Sequence, residues 1–399
     1  MTAIRKYATS KGETRWRVRY RTPNRSYTDK RGFITKRDAI EFATSLDTSL
    51  LTGTYVAPSA GRITLGTLYA LWAADRTRVK STTVAKSTSA WNAHVGPRWS
   101  RTSVGDLKAP AVRSWVADLA RAGAGAATIE NALGLLRALT DLAVIDQRIP
   151  SSPLVGIKPP RRRHQSRGYL THAQVDALAT AVRTQMIHRR GGSTVTADRP
   201  DHEAIVLLLA YTGLRWGEMA ALRVGAVNLV RRRLDVYEAV AEVSGRQVLD
   251  SVKNHERRSV PFPDFLVGSM SALMAGKRLD DHIFVGETGE PIRVSTFRPR
   301  AFRAAVERCQ SADPLFPTIT PHDLRHTAAS LAISAGANPK GVQTMLGHAS
   351  AAMTLDTYAD LFPDDLDAVS AALSAARSQK IGGKNEAKAP KNEEDPASE

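Results

Sequence analysis

The chain has 399 residues and a formal net charge of +17, with 42% hydrophobic and 24% charged residues. This length allows two or three domains, and the composition lets most of the chain bury hydrophobic cores. The clustered positive charge predicts a polyanionic partner, for which nucleic acid is the first candidate. A basic protein without such a partner is the alternative.

The single cysteine, Cys309, excludes a disulfide within the chain and is typical of a reducing compartment. We expect it to be a buried structural thiol in a helix. The N-terminus has no apolar signal core, and no segment has the apolar length of a membrane span. These features predict a cytoplasmic, nucleoid-associated protein with no membrane partner. No motif for nucleotide phosphates, dinucleotides or zinc occurs, so neither a metal nor a cofactor is predicted.

Residues 1–55 predict a small unit of sheet and helix. Arginines alternate with apolar residues over 15–21, which is the period of a β-strand with one cationic face. A second short strand is expected over 25–28, and Thr35 with Asp38 predicts a helix capping box. The cationic face is either solvated or in contact with DNA phosphates, and mutual repulsion of its arginines favours the second. The predicted DNA-binding residues of this strand are Arg15, Arg17, Arg19 and Arg21.

Residues 63–150 predict a small helical bundle, because apolar residues recur there at helical spacing. Trp72, Trp91 and Trp115 are expected in its core. Residues 151–167 predict a linker, since its prolines prevent a helix. The arginines in this linker either cross a DNA backbone or only make the linker soluble. These arginines are Arg161, Arg162 and Arg163.

Residues 168–376 predict a mixed domain of helices and strands. A helix is expected over 171–184, with its first residue as the N-cap, and an exposed loop over 189–200. The expected strands are 234–243, 248–253 and 259–262. An amphipathic helix over 363–376 and a disordered polar tail over 380–399 complete the chain.

One short stretch near the C-terminus carries side chains suited to phosphate chemistry. His322 and Arg325 lie three residues apart at a predicted helix start, for which Thr320 is the expected N-cap. The positive end of a helix dipole favours an anion at this place. His348 and Tyr358 follow downstream. Taken alone, the histidine and arginine could be a surface pair, and the tyrosine an ordinary half-buried aromatic.

Several sequence boxes stand in a recognisable order in the second half of the chain. They read Y-T-G-L-R-W-G-E-M-A-A-L-R at 211–223, V-K-N-H-E-R-R-S-V-P-F at 252–262, H-D-L-R-H-T-A at 322–328, L-G-H at 346–348 and T-L-D-T-Y-A at 354–359. Together they resemble the signature motifs of the tyrosine recombinases, the phage integrase family. Asn254 departs from the threonine that is frequent in the family, at a position without a chemical role.

The resemblance rests on strong motifs over 168–376 and on general layout over 63–165. Over 1–55 it is only consistent with the arm-type DNA-binding domains of some integrases. It implies a multidomain, mainly α fold with small β-sheets. The implied parts are a sheet-plus-helix N-terminal domain, a helical-bundle core-binding domain and a mixed α+β tyrosine recombinase catalytic domain.

The resemblance also implies how the phosphate is attacked. Tyr358 is the expected nucleophile, which forms a 3′-phosphotyrosyl link and frees a 5′-hydroxyl. A phenol with a pKa near 10 is a poor nucleophile at neutral pH, so its proton and the charge on phosphorus need assistance. Arg215 and Arg325 are expected to hold the non-bridging oxygens, because guanidinium groups match phosphate geometry.

The remaining expected roles concern protons and hydrogen bonds. His322 is expected to take the tyrosine proton, and Lys253 to protonate the 5′ leaving oxygen. His348 is expected to donate a hydrogen bond to the phosphate. Glu218 is expected to orient neighbouring groups without reacting.

The implied partners are double-stranded DNA attachment sites, of core and arm type, and three further copies of the chain in a homo-tetramer. A host DNA-bending protein and an excisionase are further expected partners. Within the same fold, a Xer-like resolvase of DNA multimers and a topoisomerase-like relaxing enzyme are alternatives. A catalytically silent DNA-binding regulator is an alternative of a different class.

Overall fold

The computed structural model describes residues 2–23, 25–57, 59–76, 79–161, 168–188, 194–251, 257–348, 350–358, 373–374 and 377–378. It divides the chain into two compact units, Met1–Gln165 and Ser166–Glu399. Several predicted features lie outside the described residues. These are Arg162, Arg163, Lys253, the tail over 380–399 and nearly all of the helix predicted over 363–376.

The chain begins with an antiparallel sheet of order β1-β2-β3, followed by helix α1. The elements are β1 Ala3–Ala8, β2 Thr14–Arg21, β3 Tyr27–Phe33 and α1 Lys36–Leu51. Strand β2 and the capping box of Thr35 with Asp38 confirm the predictions. The predicted second strand is longer than expected, and β1 was not predicted, because its mixed composition shows no clear alternation of apolar and polar residues.

One face of this sheet is apolar and the other cationic. The apolar face packs on α1 through a small core of Val18, Tyr20, Ala39, Ala43 and Leu46. On the opposite face, Arg17 of β2 lies directly across from Arg5 of β1 and Arg31 of β3. Three arginines therefore form a row across the strands.

Residues 60–157 form a helical bundle with a core of its own. The helices are α2 Leu65–Ala74, α3 Ser81–Ala90, α4 Gly96–Trp99, α5 Ala109–Arg121 and α6 Ala126–Ile145, with a π-helical turn over Trp91–Val95. Trp115 is buried in the core, as predicted. Trp72 and Trp91 are only half-buried, because they pack around Tyr69 at the edge of the bundle.

Among its described residues, the second unit mixes helices with three small antiparallel sheets. Its first half contains α7 His172–Arg183, β4 Thr184–His188, β5 Thr194–Asp198, α8 Pro200–Thr212, α9 Trp216–Ala220, β6 Val227–Asn228, β7 Arg233–Val236, β8 Glu238–Val243, β9 Arg246–Ser251 and β10 Arg258–Pro261. Its second half contains α10 Val267–Met274, α11 Val294–Phe297, a π-helical turn over Arg298–Phe302, α12 Arg303–Ala312, α13 Asp323–Ser334, α14 Pro339–Leu346 and α15 Ala351–Tyr358.

Two of the predicted elements differ from the structure. The loop predicted over 189–200 is partly a hairpin, in which β4 pairs with β5 from Thr184 opposite Asp198. The single strand predicted over 234–243 is two strands in different sheets. Strand β7 lies between β10 and β6, whereas β8 pairs only with β9 among the described strands. The pairing of β7 with β10, which follows later in the chain, separates β7 from β8, and local composition does not contain that information.

Helix α8 is the centre of the second unit and packs against α7 and α13. The apolar side chains of α8 are buried on several faces of the helix. They include Ile205, Leu208 and Leu209. Cys309 of α12 is buried in the same core, as predicted, and burial raises the pKa of its thiol. Among the described residues, no helix combines the length and apolar character that a membrane crossing requires.

Candidate active site

Helix α13 begins at Asp323, so the predicted N-cap at Thr320 is wrong. His322 is the N-cap residue, but its side chain makes no capping hydrogen bond to the helix. The residue is exposed. The turn before the helix is closed instead by Asp323, whose carboxylate accepts hydrogen bonds from the Thr320 backbone N–H and hydroxyl at 2.7 Å. This turn places His322 at the open end of the helix.

Arg325 is buried, with only 4% of its surface exposed. Its Nη1 donates to the Gly213 carbonyl at 2.5 Å, and its Nη2 donates to the Leu346 carbonyl at 2.6 Å. Burial and the nearby charges of Arg215 and Arg258, against the opposing effect of Glu218, lower the pKa of Arg325 to about 10. The side chain therefore remains a cation at neutral pH, fixed between the C-terminal ends of α8 and α14.

Arg215 lies just before α9 and is held by Glu218 of that helix. The Glu218 carboxylate accepts from the Arg215 backbone N–H at 2.9 Å and from its Nη1 at 2.8 Å. The Nη2 of Arg215 donates to the Gly347 carbonyl at 3.3 Å. Because Arg325 bonds to the preceding carbonyl of Leu346, both arginines face the turn that follows α14.

Arg258 of β10 is the second cation on Glu218. Its Nη1 and Nη2 donate to the two carboxylate oxygens at 3.0 and 2.6 Å, and its Nε donates to the Met345 carbonyl at 3.4 Å. Burial alone would raise the pKa of the Glu218 carboxyl, but hydrogen bonds and charge from Arg258 and Arg215 hold it below the ordinary value. Glu218 is thus a buried carboxylate between two arginines.

His348 lies next to these arginines and is bonded to the last helix. Its Nδ1 is 2.9 Å from the Thr354 hydroxyl of α15. Burial lowers the pKa of His348 to about 4, and the nearby charges of Arg325, Arg215 and Arg258 act in the same direction. The imidazole is consequently neutral at pH 7 and acts through hydrogen bonds.

Tyr358 ends α15 and is 1% exposed. Its hydroxyl lies 2.7 Å from Nδ1 of His326 on α13. The His348 ring is nearly parallel to the Tyr358 ring, with their centroids 6.4 Å apart. The apolar residues that pack with Tyr358 are Ala329, Ile333, Val342 and Leu346.

The structure brings Arg215, Arg325, His348 and Tyr358 to one place around the turn after α14. His322 is on the same α13 face as His326, with ring centroids 5.4 Å apart. The motif pattern does not single out His326 or the pairing of Arg258 with Glu218. The sequence gives one signal for each residue: His326 lies inside the box at 322–328, and Arg258 lies inside the box at 252–262. Within the described residues, no group of His, Cys, Asp and Glu could hold a metal ion.

Residues 168–364 match the model of the phage integrase family. These residues form a domain of this family, the tyrosine recombinases. Breaking and rejoining of DNA strands is the family's general reaction. The match covers the whole of the site described above.

Curated relatives of this tyrosine recombinase include enzymes named XerC. The protein from Mycobacterium sp. (strain JLS) is 28% identical over 267 residues, which are 66% of this chain and 81% of the relative. The protein from Mycobacterium tuberculosis (strain H37Ra) is 28% identical over 258 residues, covering 63% and 79% of the two chains.

Solved structures of integrases share the fold of this tyrosine recombinase. The Tn1549 transposon integrase in complex with a circular intermediate DNA has a TM-score of 0.64 and 20% identity, covering 78% of this chain and 99% of that one. A lambda integrase tetramer bound to a Holliday junction has a TM-score of 0.56 and 17% identity, covering 90% and 95%. The predicted mainly helical, multidomain fold with small sheets is confirmed.

Proposed function

We propose that this protein is a site-specific integrase, with Tyr358 as its nucleophile. It cuts and rejoins DNA through a 3′-phosphotyrosyl intermediate to integrate the DNA of a phage or other mobile element. Together with a directionality factor, it excises that DNA again. The observation that carries the proposal is the convergence of Tyr358 with two arginines and a neutral histidine at the turn after α14.

In the proposed reaction, the Tyr358 oxygen bonds to phosphorus while the bond from phosphorus to the 5′ oxygen breaks. The tyrosine proton goes to His322, and Lys253 supplies a proton to the 5′ oxygen. One phosphodiester is exchanged for one phosphotyrosyl ester, so the later rejoining step needs no ATP. The roles of these residues follow from the family resemblance together with the position of Tyr358.

The electrostatics of the site support a role in binding phosphate. Arg325 stays charged at neutral pH, because its lowered pKa is still about 10. Arg215 is oriented by the carboxylate of Glu218. Guanidinium donors fixed before the substrate arrives stabilise the charge that develops on the non-bridging oxygens without reorganising. Neutral His348 can add a hydrogen bond while Thr354 holds its Nδ1.

The N-terminal sheet supports an integrase over a Xer-like resolvase. Its cationic face carries Arg15, Arg17, Arg19 and Arg21 on β2, and the row formed by Arg5, Arg17 and Arg31 crosses all three strands. We propose that this face contacts arm-type DNA, and that Arg161 to Arg163 contact the backbone near the core site. The 28% identity to XerC proteins keeps resolution of DNA multimers as the second candidate.

The proposed partners are core and arm DNA sites, with four protomers in the synaptic complex. Ordered exchange of two pairs of strands requires four tyrosines. The comparison with a lambda integrase tetramer on a Holliday junction supports this arrangement. An excisionase and a host DNA-bending protein are further proposed partners.

Replacement of Tyr358 by phenylalanine tests the proposed nucleophile. The Tyr358→Phe variant should bind a nicked suicide substrate that carries the core site but form no covalent adduct, because it lacks the attacking oxygen. Adducts are measured as a band resistant to denaturation on a gel. Tyr169→Phe is the matched control, since Tyr169 packs on the same apolar cluster, and it should form adduct normally. An adduct from Tyr358→Phe would refute the assignment.

A further inference from the structure

A histidine outside the predicted site contacts the proposed nucleophile. His326 Nδ1 lies 2.7 Å from the Tyr358 hydroxyl, and the two ring centroids are 5.7 Å apart. The Tyr358 ring is enclosed by apolar side chains, so its hydroxyl is its one polar group in a nearly closed environment. A buried phenol needs a hydrogen-bonding partner, and His326 supplies one.

We infer that His326 is a positioning residue for Tyr358, which fixes the phenol oxygen beside Arg325 before the DNA is cut. This inference rests on the proposed function, in which Tyr358 is the nucleophile. His326 directly follows Arg325 on α13, so one rigid helix carries both the phosphate-binding arginine and the partner of the attacking oxygen. The bond therefore sets the distance between nucleophile and phosphate site.

Helix α15 is held by two histidines on one of its faces. Thr354 and Tyr358 are four residues apart, which places both hydroxyls on the same side of the helix. His348 bonds to the first hydroxyl and His326 to the second. Thr354 is completely buried, so the first contact anchors the helix, whereas the second orients the tyrosine itself.

The positions of the two α13 histidines separate their functions. His322 and His326 are one helical turn apart, with rings nearly perpendicular at 86°. His322 is exposed at the helix start, where a DNA backbone can reach it, whereas His326 is half-buried beneath it. The outer histidine suits proton transfer, and the inner one suits a fixed contact to the phenol.

Because the contact uses Nδ1, substitutions of His326 can test the effect of the hydrogen bond separately from the effect of the ring's volume. The amide of asparagine places a polar atom close to the position of Nδ1, whereas glutamine places one closer to Nε2. Leucine preserves volume without any polar atom. Asparagine cannot take up a proton at neutral pH, so it tests positioning separately from acid–base chemistry.

The experiment measures single-turnover cleavage of a saturating nicked core-site substrate, with DNA affinity measured separately. We expect His326→Leu to cleave at least about tenfold more slowly with unchanged affinity, because small misplacements of a nucleophile cost large factors in rate. His326→Asn should stay within about threefold of the natural protein, and His326→Gln should resemble the leucine variant. Rescue by asparagine alone would show that the hydrogen bond at Nδ1, and not the fold, limits cleavage.

His172→Leu is the matched control, because His172 Nδ1 makes the same 2.7 Å contact to another tyrosine hydroxyl, that of Tyr211. This control should leave the cleavage rate unchanged. Cleavage by His326→Leu at or above the natural rate would overturn the inference, and so would an asparagine variant as slow as the leucine variant. An adduct from Tyr358→Phe would instead refute the proposed function, so the two failures are distinguishable.

Discussion

Glu218 is an acidic side chain in the middle of a site proposed to bind an acidic substrate. Three cations, Arg215, Arg258 and Arg325, converge there, and Glu218 is 3% exposed between the first two. Without a carboxylate, the arginines would repel one another in a weakly screened environment. Glu218 therefore allows a cationic site to form before any phosphate arrives.

Replacement of Glu218 by glutamine should destabilise the second unit by about 3 kcal/mol, because it leaves the largely enclosed side chain of Arg258 without a countercharge. The free energy of unfolding is measured by urea denaturation. Glu307→Gln is the control, since its pair with Arg303 is long and exposed, and it should have no measurable effect. Equal effects of the two variants would contradict this account.

The same carboxylate predicts a pH dependence. The folded-state pKa of Glu218 is lower than its ordinary value of 4.5, so its ionisation stabilises the folded state. The stability difference from Glu218→Gln should be constant above that ordinary value. It should shrink as the pH falls through the lower, folded-state pKa, because the carboxylate is then protonated in both states.

At this scale, the sequence boxes predict most of the proposed site but not its internal contacts. Arg215, Arg325, His348 and Tyr358 are found because each lies in a short recognisable box. The partner of Tyr358 is 32 residues away, and Arg258 is 40 residues from Glu218. Such pairings depend on how α13, α15 and β10 pack, and spacing within one box does not reveal them.

Among the elements, the turn between α14 and α15 does most to assemble the site. Gly347 has a φ of +65°, and a Cβ there would lie 3.0 Å from Cδ and Nε of Arg258. The glycine thus permits both a left-handed turn and close contact with the arginine. Its carbonyl also accepts a hydrogen bond from Arg215.

Gly347→Ala should slow DNA cleavage by at least about tenfold, because the new methyl group displaces Arg258 and shifts the carbonyl that Arg215 contacts. Gly336→Ala separates backbone strain from crowding, since Gly336 has a φ of +84° but no atom within 4 Å of a new Cβ. Both variants should lose about 1 kcal/mol of stability from the left-handed backbone. Only Gly347→Ala should lose cleavage, and equal rates for the two variants would exclude the contact with Arg258 as the cause.

Local signals predict the elements well where the stabilising contacts are local. Thr35 forms the predicted capping box and Thr171 is the predicted N-cap, since each of these contacts is complete within four residues. The hairpin of β4 and β5 was not predicted, because its hydrogen bonds join strands on either side of a polar segment. The predicted N-cap of α13, Thr320, lies two residues before the observed one. The Asp323 carboxylate accepts a hydrogen bond from the Thr320 backbone, as it would in a capping box, but here this bond closes a turn before the helix.

For the whole molecule, composition predicts a nucleic-acid partner, and the structure indicates which N-terminal surface could bind it. Helix α1 covers the apolar face of the first sheet, so the cationic face of β2 lies on the side away from α1. Arg19 and Arg21 on that face are exposed. The arginines of β2 therefore share one side of the sheet, and composition alone could not predict that arrangement.

The double substitution Arg19→Gln with Arg21→Gln tests this surface. Each lost phosphate contact lowers the slope of log affinity against log salt by about 0.9, so the double variant should lose about two units. Fluorescence anisotropy of a random-sequence duplex at several salt concentrations measures the slope. Lys36→Gln with Arg37→Gln removes the same charge from α1, whose apolar side covers the other face of the sheet, and should leave the slope unchanged. If both double variants lower the slope equally, net charge and not the β2 face explains DNA binding.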